Sequence, residues 1–261
     1  WGEALGFHGL CFSIGMAIGP AIGSTVTLYY SIDVLFYISS AFALLSILIL
    51  MNMKETLKAK QRFSLSLLKI SRKDIIAVEV LPAAFITFMS YIAYGTILTL
   101  IPDWTHHLGI SNKGLFFIVF TISSLVIRFL AGRASDKYGR TRVITLGLFL
   151  LVIALFILGY ANTFAGFLCG SIAYGIATGV LSPALNAWTV DMSHPDHRGK
   201  AMATMYIALE AGIGLGALLA GWFYHDIITR VPVILYSSAA MAFLGFLFML
   251  DRIKKARPSK V

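Results

Sequence analysis

The sequence predicts an all-α membrane protein, and three observations carry that prediction. Hydrophobic residues make up 58% of the 261 and charged residues only 13%, at a mean hydropathy of +0.84, which a water-soluble core does not allow. The apolar residues gather in eight runs, roughly 4–29, 33–53, 75–101, 114–131, 143–160, 164–190, 201–224 and 232–250. Each is close to the ~20 residues that a helix needs to cross a bilayer. Lys and Arg then fall in alternate gaps: seven in 54–73, four in 132–144, two in 191–200 and five in 252–260, against only Lys113 and Arg230 in the others. Eighteen against two fixes the orientation, with the chain's two termini expected on the cytoplasmic face. The net charge of +9 therefore reads as a topology signal facing anionic lipid, and nucleic acid is not expected as a partner. Cys11 and Cys169 lie inside apolar runs, where a free thiol behaves as a small hydrophobe.

Taken in order, the first run carries Gly6, Gly15, Gly19, Pro20 and Gly23, with Ser24 following. Glycines four residues apart let a neighbouring helix approach closely, and a proline removes one backbone hydrogen bond and favours a kink. An ordinary glycine-rich packing face has the same look. The second run is uniformly apolar. After it comes the longest and most charged gap, which divides the chain into 1–53, a linker 54–74, a six-helix part 75–251 and a basic tail 252–261.

Between the fourth and fifth runs lies G-R-A-S-D-K-Y-G-R-T-R-V-I, from Gly132 to Ile144. Gly132 and Gly139 permit a tight reversal and close helix approach, and Asp136 is the one acid among Arg133, Lys137, Arg140 and Arg142. Glycine and basic charge alone mark any short cytoplasmic loop. The order Gly132, Asp136, Lys137, Gly139, Arg140 resembles the G-x-L-A-D-R-x-G-R-K signature of the major facilitator superfamily of secondary transporters, with Ala134, Ser135 and Thr141 departing from it. The glycine and proline spacing of the first run resembles the fifth-helix motif of that superfamily's proton-coupled exporters. Much of the rest, including Y-G-I-A-T-G-V-L-S-P-A-L-N-A-W and H-R-G-K-A-M-A-T-M-Y-I-A-L-E-A-G-I-G-L-G, is similar to the bacterial arabinose-efflux-type and metallophore-exporter branch.

That resemblance implies a major facilitator fold in which the eight transmembrane helices are the fifth to the twelfth of twelve. The chain begins at Trp1 with no Met, so four further helices are expected upstream; an eight-helix protein complete in itself is the alternative. The resemblance also implies a monomer when full-length, in the cell membrane. It assigns Asp136, with Arg140, to a contact with the start of the first run, near Glu3 and Ala4, made only while the cytoplasmic side is closed.

A charge within a membrane helix is costly and usually faces an interior cavity. Glu210 is the clearest case, near the middle of the seventh run, with Tyr206 one turn earlier on the same face. Burial disfavours the ionised form of a carboxylic acid, which lets such a group load and release protons. A direct ligand for a cationic solute, or a structural acid paired with Arg128 or a hydroxyl, are the other roles open to it. Arg128 is placed about one turn inside the cytoplasmic end of the fourth run, where it can snorkel. Polar and aromatic residues at helical spacing mark three candidate solute faces: Thr87, Tyr91 and Tyr94; Phe117, Thr121 and Ser124; and Ser171, Tyr174, Thr178, Ser182 and Asn186. Helix-to-helix hydrogen bonding by small polar residues gives the same pattern. Tyr91, Tyr94, Phe117, Tyr174 and Asn186 are the preferred solute contacts. The paired histidines at 106–107 and at His194 and His197 read as solvated turns, and neither a metal nor a cofactor is expected.

No phosphate-binding loop points to ATP, and no nucleophile and base pair points to an enzyme. The expected activity is export of a small organic solute in exchange for protons by alternating access. Proton-coupled uptake of a sugar or similar nutrient is the alternative, and a membrane sensor or scaffold that transports nothing is the alternative of another class.

Overall fold

The computed structural model describes residues 11, 15, 18, 19, 22–51 and 76–255. Gly6, Pro20, the linker 54–74 and the tail beyond Lys255 lie outside the described residues. The element order is α1 (Ile32–Met51), α2 (Leu81–His107), α3 (Leu115–Tyr138), α4 (Arg140–Tyr160), α5 (Phe164–Met192), α6 (Arg198–Tyr224) and α7 (Val231–Lys255), with short 3₁₀ turns at Val78–Val80, Pro195–His197 and Ile228–Arg230. Residues 22–29 are helical as well, so part of the first run is seen. Among the described residues six helical segments are long and apolar enough to cross a membrane, and α3, bent by 45° between its two parts, makes a seventh.

Local chemistry explains where the helices start and stop. The Ser31 hydroxyl accepts from the Val34 amide at 3.4 Å and caps α1, and the Thr163 hydroxyl accepts from Gly166 at 3.2 Å at the head of α5. Gly109 ends α2 with φ at +74°, and Asn112 folds the α2–α3 loop by accepting from the Gly114 amide at 2.8 Å. Pro102 and Pro183 sit inside α2 and α5, each removing one ladder hydrogen bond.

The turn around Gly139 differs from its sequence reading. Hydropathy places the end of the helix at 131, yet α3 runs on to Tyr138 and α4 starts at Arg140. A loss of hydropathy marks where a helix leaves lipid, not where its hydrogen bonds stop. Nothing between Arg133 and Tyr138 breaks a helix; Gly139, with φ at +91° and ψ at 144°, does, and its amide still bonds to the Ser135 carbonyl at 3.2 Å. Gly132 and Asp136 consequently lie on a helix rather than in a loop.

Helices α2 to α7 form the bundle. α2 lies between α6 and α7, α7 packs on α4, α4 on α5, and α5 on α3. Glycine makes the two closest crossings possible. A side chain at Gly95 would strike Ile213 and Ala217, one at Gly216 would strike Ile92, and one at Gly212 would lie 2.6 Å from the Phe88 carbonyl oxygen, so α2 and α6 meet backbone to backbone. Gly175 and Gly179 do the same for α5 against Phe120 and Ser124 of α3. The glycines singled out in the sequence make no such crossing among the described residues, and much of the first run lies outside them. A Cβ at Gly15, Gly19 or Gly132 would meet nothing within 4 Å, and one at Gly23 would touch only Leu35, at 3.9 Å. A glycine packs only where another helix stands opposite it, and the sequence alone does not say which face has one.

None of the residues of α1 is buried against the bundle. The stretch before it does make a contact: the Ser24 hydroxyl donates to Asn112 Oδ1 at 2.9 Å and accepts from the Gly114 amide at 3.0 Å. The link joins the first run to the loop between α2 and α3, at the end of the bundle opposite Gly139.

Candidate functional site

Four helices, α2, α3, α5 and α6, surround a cavity of about 440 Å³, with Leu151 of α4 closing part of its wall. Helix α2 contributes Ser90, Tyr91, Tyr94 and Leu98; α3 contributes Phe120, Thr121, Ser124 and Arg128. From α5 come Tyr174, Thr178, Leu181, Ser182 and Asn186, and from α6 Tyr206, Leu209, Glu210 and Ile213. Each group repeats at three or four residues, which is one side of one helix.

Chain direction grades the cavity. Leu98 and Phe120 lie toward the α2–α3 loop, where Phe116, Phe120 and Tyr174 form an aromatic cluster with centroids 5.6–6.0 Å apart. Arg128, Asn186 and Tyr206 lie toward the Gly139 end. The cation and the acid both line the cavity, one from α3, which leans on α5, and one from α6, which leans on α2. Tyr91 faces Ser182 and has Arg128, Tyr206 and Glu210 as its charged and titratable neighbours.

The polar atoms of the cavity fall into two kinds. The Thr178 hydroxyl donates to the Tyr174 carbonyl at 2.9 Å and the Ser90 hydroxyl to the Ile86 carbonyl at 2.9 Å, so both serve their own helices. The hydroxyls of Tyr94, Thr121 and Tyr174 are buried with no hydrogen-bond partner among the described residues. An unpaired hydroxyl in such a place costs ~1–3 kcal/mol unless something binds it.

Most of the residues expected from the sequence converge here: Tyr91, Tyr94, Tyr174, Asn186 and Glu210, with Thr121, Ser124, Thr178 and Ser182. Three do not. Phe117 is buried edge-on against Phe116, away from the cavity, and Phe120 one turn further on takes the place expected for it. The Thr87 hydroxyl donates to the Ala83 carbonyl and that of Ser171 to Phe167, at 2.9 and 2.8 Å, so both are absorbed in helix packing. Glu210 is exposed to the cavity rather than enclosed by this chain.

Arg128 lines the cavity from α3, one turn before the apolar run ends at 131 and ten residues before the helix ends at Tyr138. Its position in the cavity was available from periodicity: Thr121, Ser124 and Arg128 follow the three-and-four spacing of a single face. Ser90, Leu98, Leu209 and Ile213 were missed because a plain serine and three aliphatic residues carry no signal beyond that same spacing.

The signature residues assemble at the Gly139 end. Arg140 pairs with Asp136 one turn earlier, donates from Nε to Asp191 at 3.0 Å and from Nη1 to the Ser135 hydroxyl at 3.1 Å. One guanidinium thus joins the end of α3, the start of α4 and the end of α5. Asp136 is 70% exposed and Asp191 52%, so each pair is screened by water. The contact expected between Asp136 and Glu3 or Ala4 lies outside the described residues. No group of three or more His, Cys, Asp or Glu able to hold a metal occurs among the described residues.

A multi-pass helical bundle with a solute-sized cavity between glycine-packed helices is the architecture of a membrane transporter. The family model for the Major Facilitator Superfamily matches residues 83–261, and the chain belongs to that superfamily. "Multidrug resistance protein 2" of Bacillus subtilis (strain 168) is 29% identical over 156 residues, 59% of this chain and 39% of the relative. "Quinolone resistance protein NorA" of Staphylococcus aureus is 24% identical over 177 residues, 67% of this chain and 45% of the relative. The chain thus spans less than half the length of either. Among solved structures, the human organic anion transporter MFSD10 (TETRAN) matches with a TM-score of 0.52 at 20% identity, over 70% of this chain and 48% of that one. A peptide transporter POT complexed with sulfate matches with a TM-score of 0.51 at 18% identity, over 67% and 38%. These two likenesses are of fold.

Proposed function

We propose that the chain takes part in exporting a small amphipathic organic solute in exchange for protons, by alternating access. Its place is the cell membrane with both termini of this chain cytoplasmic, where the excess of Lys and Arg in alternate gaps puts them. The observation that carries the reading is the cavity: Glu210, Arg128, phenols and phenyl rings line one solute-sized space in a member of a transporter family. Both curated relatives carry names of resistance proteins, which favours export over uptake.

In this reading Glu210 exchanges a proton for solute, and the groups facing it are Tyr206 on its own helix, Tyr91 and Tyr94 on α2, Arg128 on α3 and Tyr174 on α5. Tyr91, Tyr94, Tyr174 and Asn186 contact the solute, while Asp136, Arg140 and Gly139 govern the exchange between open states. The 54–74 segment is the linker between the six-helix part and the two helices before it.

The test is accumulation of a fluorescent quinolone in cells expressing the transporter, its Glu210→Gln variant, or neither. Export lowers the cell content only with the unaltered protein, and dissipating the proton gradient removes the difference. A raised content would replace export by uptake, and equal contents in all three would remove quinolone-like solutes from the proposal. Equal export by the Glu210→Gln variant would take proton exchange away from Glu210.

A further inference from the structure

The start of α2 and the end of α7 meet in a seam at the Gly139 end of the bundle, apart from the cavity. The Phe85 and Phe248 rings face each other across it with centroids 5.2 Å apart. Phe85 is 40% exposed and Leu81, one turn nearer the start of α2, is 45% exposed, so this side of the seam is an open apolar strip among the described residues. α7 runs antiparallel to α2, and one turn beyond Phe248 it brings Arg252, whose guanidinium lies over the Phe248 ring at 5.4 Å from the centroid. Helical side chains lean toward the N-terminus of their helix. At the end of α7 that direction is back along the apolar wall, which is why Arg252 covers a ring instead of reaching into water. A guanidinium stacked by its face keeps its N–H donors at the edge, in the plane where a phosphate accepts two of them. Of the neighbouring charges, Lys255 pairs with Asp251 at 2.6 Å, while Arg252 and Lys254 enter no ion pair among the described residues. Glu79, exposed on the turn before α2, is the one acid that the described start of α2 brings to this end.

We propose that this seam is a binding site for one anionic phospholipid, its phosphate on the edge of Arg252 and an acyl chain along Phe85, Phe248 and Leu81. The apolar strip and the cation adjoin, as the tail and the headgroup of a lipid do, and the aromatic pair lies just inside the level of the charge. Selection between headgroups falls to Lys254. A zwitterionic lipid presents the same phosphate with a quaternary ammonium attached, which Lys254 repels, whereas an anionic lipid carries no such cation. The occupant touches α2 and α7 together and so holds the two helices at this end. The site stands whatever solute the cavity carries.

The experiment is native mass spectrometry of the full chain released from micelles that contain phosphatidylglycerol and phosphatidylcholine in equal amounts. The unaltered chain is expected to retain phosphatidylglycerol at least about fivefold more than phosphatidylcholine, given what one basic residue contributes near an anionic surface. Arg252→Gln combined with Lys254→Gln removes that preference. Arg133→Gln combined with Arg142→Gln takes the same charge from the other basic cluster at this end, also exposed, and leaves the preference intact. Phe248→Leu lowers retention of both lipids, and excess inorganic phosphate displaces neither. Thermal midpoints identify any variant that fails to fold, and the two charge variants decide the matter if Phe248→Leu does not fold. Equal retention of the two lipids by the unaltered chain, or equal loss of preference in both double variants, overturns the site in favour of diffuse attraction to basic residues. Displacement by inorganic phosphate overturns the lipid as ligand and leaves Arg252 a site for free anions.

Discussion

Alanine placed at Gly216 and at Gly214 should have opposite effects, although the two positions are neighbours in G-I-G-L-G on α6. At Gly216 a Cβ would lie 2.9 Å from the Ile92 carbonyl carbon, 3.0 Å from its Cα and closer still to its oxygen. Ordinary contact begins at 3.4 Å, so α2 and α6 must separate by about half an ångström at the carbon and more at the oxygen. Backbone cannot rotate out of the way as a side-chain tip can. Overpacking of this kind costs ~1–3 kcal/mol. At Gly214 a Cβ meets nothing within 4 Å, and alanine gains the ~0.5–1 kcal/mol of helix preference over glycine. That gain is common to both variants, so their difference isolates the clash. The Gly216→Ala protein should be the less stable by ~1–3 kcal/mol, about fivefold to 150-fold in its unfolding equilibrium. Reversible unfolding in mixed lipid–SDS micelles reads the difference directly. Gly216→Ala should also weaken solute binding, since α2 and α6 carry Tyr91 and Glu210. Equal stability of the two variants would refute close backbone contact at this crossing.

Three further substitutions test other parts of the molecule. Tyr174→Phe removes a hydroxyl that has no partner among the described residues, so thermal stability should be unchanged or slightly higher while solute affinity falls about tenfold; a stability loss above ~1 kcal/mol would make the hydroxyl structural. Asp136→Asn leaves Arg140 its bond to Asp191 and should slow turnover several-fold at unchanged solute affinity in transport kinetics; an affinity loss at unchanged turnover would count against a role in the conformational exchange. Gly139→Ala forces a Cβ onto φ +91°, which costs ~1–3 kcal/mol, and should lower the thermal midpoint even though the space around Gly139 is open.

The path from sequence to structure was direct where helical periodicity was the signal. Tyr91, Tyr174 and Asn186 could be placed on inward faces because polar residues at every third or fourth position of an apolar helix share one side of it. The same spacing misled at Thr87 and Ser171, whose hydroxyls turn back to their own carbonyls, because helical spacing gives direction and not partner. The fall of hydropathy at 131 does not reveal that α3 runs on to Tyr138, because a helix that leaves lipid keeps its hydrogen bonds. Which glycines pack was not legible at all: Gly95, Gly175 and Gly216 differ from Gly132 and Gly214 only in what stands opposite, and that belongs to tertiary structure.

Ser24 has a consequence for timing. It holds the loop between α2 and α3 through two hydrogen bonds, one to Asn112 and one from Gly114, and any movement of its helix away from that loop breaks both together. At ~0.5–1.5 kcal/mol each, the pair amounts to a few multiples of thermal energy, which ordinary collisions with lipid and water supply many times over. A joint of that strength is a spring catch and not a lock: it breaks and re-forms without any outside energy source.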